Sequence, residues 1–191
     1  MPVYLNTLYR DDPELISRPA TVMTVHNLAF QGHFWHWDMP LTGLGWEHFN
    51  WRELEFYGKL NLLKGGLVYA DVINTVSKTY AREIQTPEYG YGLDGIFRER
   101  ADALYGIQNG IDTGVWNPAT DDNIPCKYSA ESFDGKAKCK TALLGKTGLA
   151  GGENVPLVGM VSRLTDQKGL DLVAESMDKI MGMNLNMVIL G

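Results

Sequence analysis

The chain has 191 residues, 45% hydrophobic and 21% charged, a globular composition with room for one domain or for one domain and part of another. A net charge of −6 argues against a nucleic-acid backbone as the main partner, because binders of that polyanion carry a basic excess. No apolar run approaches the ~20 residues needed to cross a bilayer, and the N-terminus lacks the basic and apolar regions of a secretory signal, so a soluble protein is expected.

In chain order, residues 21–25 are a β-branched run that predicts a strand, with His26 and Asn27 delivered to its carboxyl end. Residues 33–51 contain Trp35, Trp37, Trp46 and Trp51 without clean periodicity, which predicts a long aromatic-packed loop. From Glu55, the positions Phe56, Leu60, Leu63 and Leu67 have the spacing of one helical face. Residues 72–76 predict a strand, and Ser77 is placed to cap a helix running to about Ile84. A helix from Gly95 to Ala103, a strand from Leu104 to Ile107 and a turn from Asn109 to Asp112 follow. Strands alternating with helices at this spacing predict a parallel α/β sheet.

Residues 117–153 change character. Asn117-Pro118, Asp121-Asp122-Asn123, Asp134-Gly135 and Gly151-Gly152 are turn and linker signals around a basic helix near 136–144, and a domain boundary is expected near Gly151. Beyond it, residues 155–161 read as a buried strand, 169–181 as an amphipathic helix and 185–190 as a second strand. Together they make one βαβ unit with a right-handed crossover. The final strand stops where a functional loop usually begins, so the ends read as cut. Cys126 and Cys139 have neither metal-ligand spacing nor a disulfide framework, and they read as free thiols of a reducing compartment.

Ligands of open α/β sheets sit beyond the carboxyl ends of the strands. Arg163 leaves the strand at 155–161, Thr165 or Asp166 is placed to cap the following helix, and Lys168-Gly169 falls in its first turn. Taken alone, these cations suit either a solvated helix start or a diphosphate site. A diphosphate would take a forked contact from Arg163, a point charge from Lys168 and free N–H groups from the helix end. His26 and Asn27 offer hydrogen-bonding groups suited to sugar hydroxyls, and Asn109 lies at another strand end of the same half. Lys64-Gly65-Gly66-Leu67 resembles a phosphate loop but continues a helical face with no strand before it. The pairs Asp11-Asp12 and Asp121-Asp122 lie in polar loops without a third ligand, so no metal is expected. The tryptophans are assigned to core packing rather than to sugar stacking.

Thr24-Val-His-Asn-Leu-Ala-Phe-Gln-Gly32, Tyr91-Gly-Leu-Asp-Gly95, Gly106-Ile-Gln-Asn-Gly-Ile-Asp112 with Trp116-Asn-Pro118, and Val161-Ser-Arg-Leu-Thr-Asp-Gln-Lys-Gly-Leu-Asp-Leu172 occur in one order along the chain. They resemble bacterial glycogen synthases and plant starch synthases over essentially the whole length. The resemblance implies an α/β fold of two facing Rossmann-like domains, the GT-B type, with the active site between them. On that reading, residues 1–150 are the C-terminal part of the first catalytic domain with its linker (117–153), and residues 151–191 are the first βαβ unit of the second. The implied reaction moves glucose from ADP-glucose to the non-reducing end of an α-1,4-glucan, with retention and without metal or other cofactor. The implied location is the cytoplasm, or a plastid in a plant. Arg163 and Lys168 match donor-diphosphate contacts, while His26, Asn27 and Asn109 match residues around the transferred glucose.

Two segments of the family pattern do not occur here: the Lys-x-Gly-Gly-Leu loop near its N-terminus, and the Glu-Pro-Cys-Gly-Leu segment whose Glu contacts the donor sugar. The 191 residues by themselves are therefore expected to have little or no transferase activity. The alternatives are a glucan-binding or split-enzyme module without catalysis, and a synthase preferring UDP-glucose, since no residue here reads the base.

Overall fold

The structure is a computed structural model that describes residues 2–15, 19–152 and 154–191; Met1, residues 16–18 and the linker's Glu153 lie outside it. The chain divides by packing into two compact units, Met1–Gly110 and Ile111–Gly191.

The first unit runs α1 (Pro2–Asn6), β1 (Val22–Val25), β2 (His33–Trp35), β3 (Glu55–Phe56), β4 (Lys59–Asn61), α2 (Leu62–Tyr69), β5 (Val72–Thr75), α3 (Lys78–Glu83), α4 (Asp94–Glu99) and β6 (Leu104–Gly106). Strands β1, β5 and β6 form a parallel sheet with β5 in the centre, as the alternation of strands and helices requires. Side-chain caps set the helix starts. Asn61 Oδ1 accepts the Lys64 amide at 2.8 Å to begin α2, and Ser77 Oγ accepts the Tyr80 amide at 2.9 Å to begin α3. The carbonyls at the end of α2 are taken by Arg100, whose guanidinium donates to Leu67 and Val68 at 2.9 Å and to Ala70 at 2.6 Å.

The core of the parallel sheet is Val25, Leu28, Leu67, Ile73, Ile84, Leu93 and Phe97. Burying each large side chain contributes roughly 1.5–3 kcal/mol before ordering costs. A second cluster, Val3, Met39, Leu44, Leu54 and Leu60, lies under the aromatic segment.

Two expectations for this unit fail. The helix drawn from Glu55 is a hairpin over 55–61 followed by α2. Tyr57 (φ 50°) and Gly58 (φ 77°) turn the chain in the two-residue form that suits strand twist, pairing Phe56 with Lys59 and Glu55 with Leu60. Leu60 is core-facing as expected, but through strand pairing rather than helical period. The tryptophans are not in the core. Trp35 and Trp51 are 63% and 71% exposed, and the rings of Trp35, Trp37 and Trp46 meet edge to face at the surface, at 6.3 and 5.6 Å. A 3₁₀ turn over His36–Thr42 brings only Met39 inward.

The second unit contains α5 (Asp134–Thr147), β7 (Leu157–Val161), α6 (Leu170–Glu175), α7 (Met177–Met181) and β8 (Asn186–Leu190). Strands β7 and β8 pair in parallel over five residues, and α6 and α7 meet at Ser176, which itself keeps helical angles. The strands are not buried as expected. None of the described residues from 154 to 191 is buried, and Val161 and Leu190 are 79% and 61% exposed, because a sheet of two strands offers little area against its helices. The linker packs with this unit. Lys140 Nζ donates to the Val155 carbonyl at 2.6 Å and Asn186 Nδ2 to Ala150 at 2.9 Å, so the packing division falls at Gly110 and the 150/151 division lies inside the second unit.

Candidate active site

The site in the first unit grows out of sheet register. Val25, Thr75 and Gly106 are level across β1, β5 and β6, so the three strands present one common carboxyl edge. Thr75 Oγ1 donates to the Val25 carbonyl at 2.7 Å and the Ile107 amide to the Thr75 carbonyl at 2.8 Å, which locks that edge. His26 and Asn27 are the next residues after β1, and Asn109 lies three residues past β6, so all three leave the sheet at the same side. His26 and Asn109 are exposed and Asn27 is half-buried.

Local bonds hold the His26 loop. Asn27 Oδ1 accepts the Ala29 amide at 2.9 Å, the Leu28 amide donates to the Tyr80 hydroxyl at 3.3 Å, and Leu28 is fully buried beneath. Gly106 has a steric reason. A Cβ there would collide with the Ser77 carbonyl and Lys78 Cα, so glycine lets β6 end against the start of α3. Residues 109–112 are not the expected turn. The Asp112 carboxylate instead accepts the amides of Gly114 and Val115 at 3.0 Å, placing the turn at residues 113–115.

One polar atom at this edge was not anticipated. Asn74, inside β5 and level with Thr24 and Tyr105, has a buried Oδ1 with no hydrogen-bond partner among the described residues. A polar residue in a central strand was the available signal. Such an orphaned acceptor is costly unless something else meets it.

In the second unit Arg163 follows β7 by two residues, at the carboxyl edge of the β7–β8 pair, where the Ser162 amide donates to the Leu190 carbonyl at 3.1 Å. Residues Asp166–Lys168 form a 3₁₀ turn, and the N-cap of α6 is Gly169 at φ 69°. The expected cap at Thr165 or Asp166 therefore falls too early, and Lys168 precedes the helix rather than sitting in its first turn. Only glycine enters the left-handed geometry at that point without strain. The side chain of Asp166 lies outside what the structure describes. Arg163 and Lys168 are both exposed, and no ion pair is found for either among the described residues. No cluster of three or more His, Cys, Asp or Glu at metal-holding distance occurs among the described residues.

A cavity of about 800 Å³ opens elsewhere in the first unit, between α2 and α4, lined among others by Trp51, Tyr57, Lys64 and Arg100. It contains none of the sequence-predicted site residues. Lys64 is buried and its Nζ donates to the carbonyls of Trp51 and Glu55; burial lowers its pKa, with the Glu55 charge opposing. Its amine is committed to the main chain, which explains why Lys64-Gly65-Gly66-Leu67 is no phosphate loop although β4 does precede it. Nearby, burial alone would raise the Glu53 carboxyl, but hydrogen bonds from His48, at 2.7 Å, and from Tyr69 hold it below 4.5. Burial and the bond to Glu53 push the Tyr69 phenol up.

Residues 1–99, just over half of the chain, match the family described as the starch synthase catalytic domain. The chain belongs to this family. It is 51% identical over all 191 residues to glycogen synthase 1 of Geobacter metallireducens and 50% identical to glycogen synthase 1 of Geobacter sulfurreducens, covering 38% of each relative. Its fold superposes with a TM-score of 0.87, at 31% identity, on the catalytic domain of starch synthase IV from Arabidopsis thaliana bound to ADP and acarbose, over 99% of this chain and 40% of that one. The chain thus spans about two fifths of the length of these relatives. The parallel sheets of both units agree with the Rossmann-like α/β class read from the sequence.

Proposed function

We propose that the full-length protein is a glycosyltransferase that moves glucose from ADP-glucose to the non-reducing end of an α-1,4-glucan, with retention of configuration. The observation that carries this reading is the roughly 50% identity, along every residue of the chain, to proteins named glycogen synthase. The ADP and acarbose held by the Arabidopsis relative support the same donor nucleotide and a glucan-like acceptor.

On the second unit, Arg163 and Lys168 bind the donor diphosphate. The departing ADP gains negative charge in the transition state, so fixed cations at that place stabilise it more than the ground state, and no metal is required for that task. On the first unit, His26, Asn27 and Asn109 surround the transferred glucose, where neutral oxygen and nitrogen groups bond its hydroxyls and steady a cation-like ring. No nucleic acid takes part. None of the described helices is long and apolar enough to cross a membrane, and the protein works in the cytoplasm, or in a plastid in a plant. Residues 1–191 alone do not turn over.

Incorporation of labelled glucose into glycogen by the full-length protein tests this, with ADP-glucose and UDP-glucose offered separately. The expected result is transfer from ADP-glucose into linkages that an α-1,4-specific hydrolase releases. No transfer from either nucleotide would remove the enzyme reading, and preference for UDP-glucose would replace the donor.

A further inference from the structure

Gln31 is not among the residues that sequence reasoning or family resemblance assigned to the site, yet three separate segments meet on its side chain. It is 6% exposed. Its Nε2 donates to the Tyr91 carbonyl at 3.1 Å, and its Oε1 accepts from Asn61 Nδ2 at 2.7 Å. The amide orientations are fixed at both ends, because Tyr91 offers only a carbonyl to Gln31 and Asn61 Oδ1 is occupied by the Lys64 amide. His33 Nε2 lies 3.0 Å from both Gln31 Oε1 and Asn61 Nδ2, and so finds a partner in either tautomer. The main chain adds to the junction: the amides of Leu62 and Leu63, the first two residues of α2, donate to the carbonyls of Gly32 and Gln31 at 3.1 and 3.0 Å. The end of the His26–Asn27 loop thus satisfies the otherwise free N–H groups of that helix.

The third segment is strained. Tyr91 has φ 50°, and the residue is 53% exposed, so burial does not offset the unfavourable backbone. Gly92 follows at φ 79°, and a Cβ there would stand 2.9 Å from Phe56 Cζ, so the turn is pressed against the β3–β4 hairpin. His33 stacks on that same Phe56 ring, with centroids 5.4 Å apart and planes 25° apart. The Leu93 amide donates to the Gly90 carbonyl at 2.8 Å across the turn, and Gln31 Nε2 adds a side-chain donor to the Tyr91 carbonyl.

We propose that Gln31 is a positioning residue for the candidate active site: it joins the His26–Asn27 loop, the start of α2 and the strained Tyr91 turn into one rigid piece. Its effect on turnover rests on the glucosyl-transfer reading, whereas its effect on rigidity does not. A loop carrying groups that must meet a developing charge has to be held before the substrate arrives, and loss of that preorganisation appears in kcat more than in binding.

The test is amide hydrogen exchange and steady-state kinetics on the full-length protein carrying Gln31→Leu or Gln31→Glu. Gln31→Leu removes both bonds; Gln31→Glu keeps an acceptor for Asn61 and His33 and, at a pH where it is ionised, sets a carboxylate oxygen against the Tyr91 carbonyl in place of the donor. Gln31→Leu is expected to speed exchange at least fivefold in both 26–33 and 89–93, and to lower kcat at least tenfold with donor and acceptor KM within threefold. Gln31→Glu should loosen 89–93 alone. Parent-like exchange in 89–93 in both variants, or a rise in KM at unchanged kcat, would overturn the assignment. If Gln31→Leu does not fold, Gln31→Glu decides. A parent that transfers glucose from neither nucleotide counts against the function, and the exchange comparison still decides the junction.

Discussion

The two units carry their candidate residues in different ways. In the first, His26, Asn27 and Asn109 leave a three-stranded sheet backed by a core in which Leu28, Ile73, Leu93 and Phe97 are fully buried, and the loop after β1 is tied down through Asn27, Leu28 and Gln31. In the second, Arg163 and Lys168 sit on an exposed loop of a two-stranded sheet, and none of the described residues from 154 to 191 is buried. The chain spans about two fifths of its relatives' length, and the contrast belongs to these 191 residues: three strands with helices bury a core, whereas the two strands β7 and β8 bury little.

The largest expected effect tests whether rigidity really resides in the first unit. In urea unfolding of the 191-residue chain, Phe97→Ala empties a fully buried site and should cost about 3–5 kcal/mol, while Leu172→Ala, 65% exposed in α6, should stay within about 0.5 kcal/mol. Comparable losses would show that α6 contributes a core of its own.

Two strand glycines sharpen the comparison further. Gly106→Ala in β6 places a methyl against the Ser77 carbonyl and should destabilise by about 1–3 kcal/mol. Gly159→Ala in β7 meets nothing within 4 Å and should be neutral or stabilise by up to about 1 kcal/mol. Thermal melts of both variants check the pair, and a destabilised Gly159→Ala would mean that β7 is covered in solution.

Kinetics separate charge from placement. Lys168→Ala in the full-length protein is expected to lower kcat/KM for ADP-glucose at least tenfold, about 1.4 kcal/mol. Wild-type kinetics would free Lys168 from the diphosphate role.

The smallest effect is a pH dependence confined to the first unit. Glu53 titrates below its ordinary 4.5 in the fold, so the stability it brings is present above that value and is lost as pH falls through the lowered one. Glu53→Gln should therefore flatten the fall of the melting temperature below about pH 4.5. An unchanged slope would place the acid sensitivity elsewhere.

Much of this arrangement was legible because it is local. The β-branched runs at 22–25 and 72–75, the cap at Ser77 and the strand at 104–106 depend on neighbours within a few residues, and all appear where expected. The edge that collects His26, Asn27 and Asn109 followed from them, since parallel strands with helical crossovers present their carboxyl ends together. The hairpin at Tyr57-Gly58 was missed because Phe56, Leu60, Leu63 and Leu67 keep a helical period by coincidence across a strand and a helix. The Gly169 cap was missed because Thr and Asp are commoner caps, and only the backbone angle distinguishes them.

By itself, then, the amino-acid sequence determined the α/β class, the family and the identity of the residues that reach the strand ends, because each depends on short-range pattern or on motif order. Tertiary structure alone decided that the tryptophans stay at the surface, that Lys64 is spent on main-chain carbonyls, and that Gln31, Asn61 and Tyr91 meet. The Gln31 contacts join residues 30 and 60 positions apart and those of Lys64 residues 13 and 9 apart, and chain periodicity carries no record of such pairs.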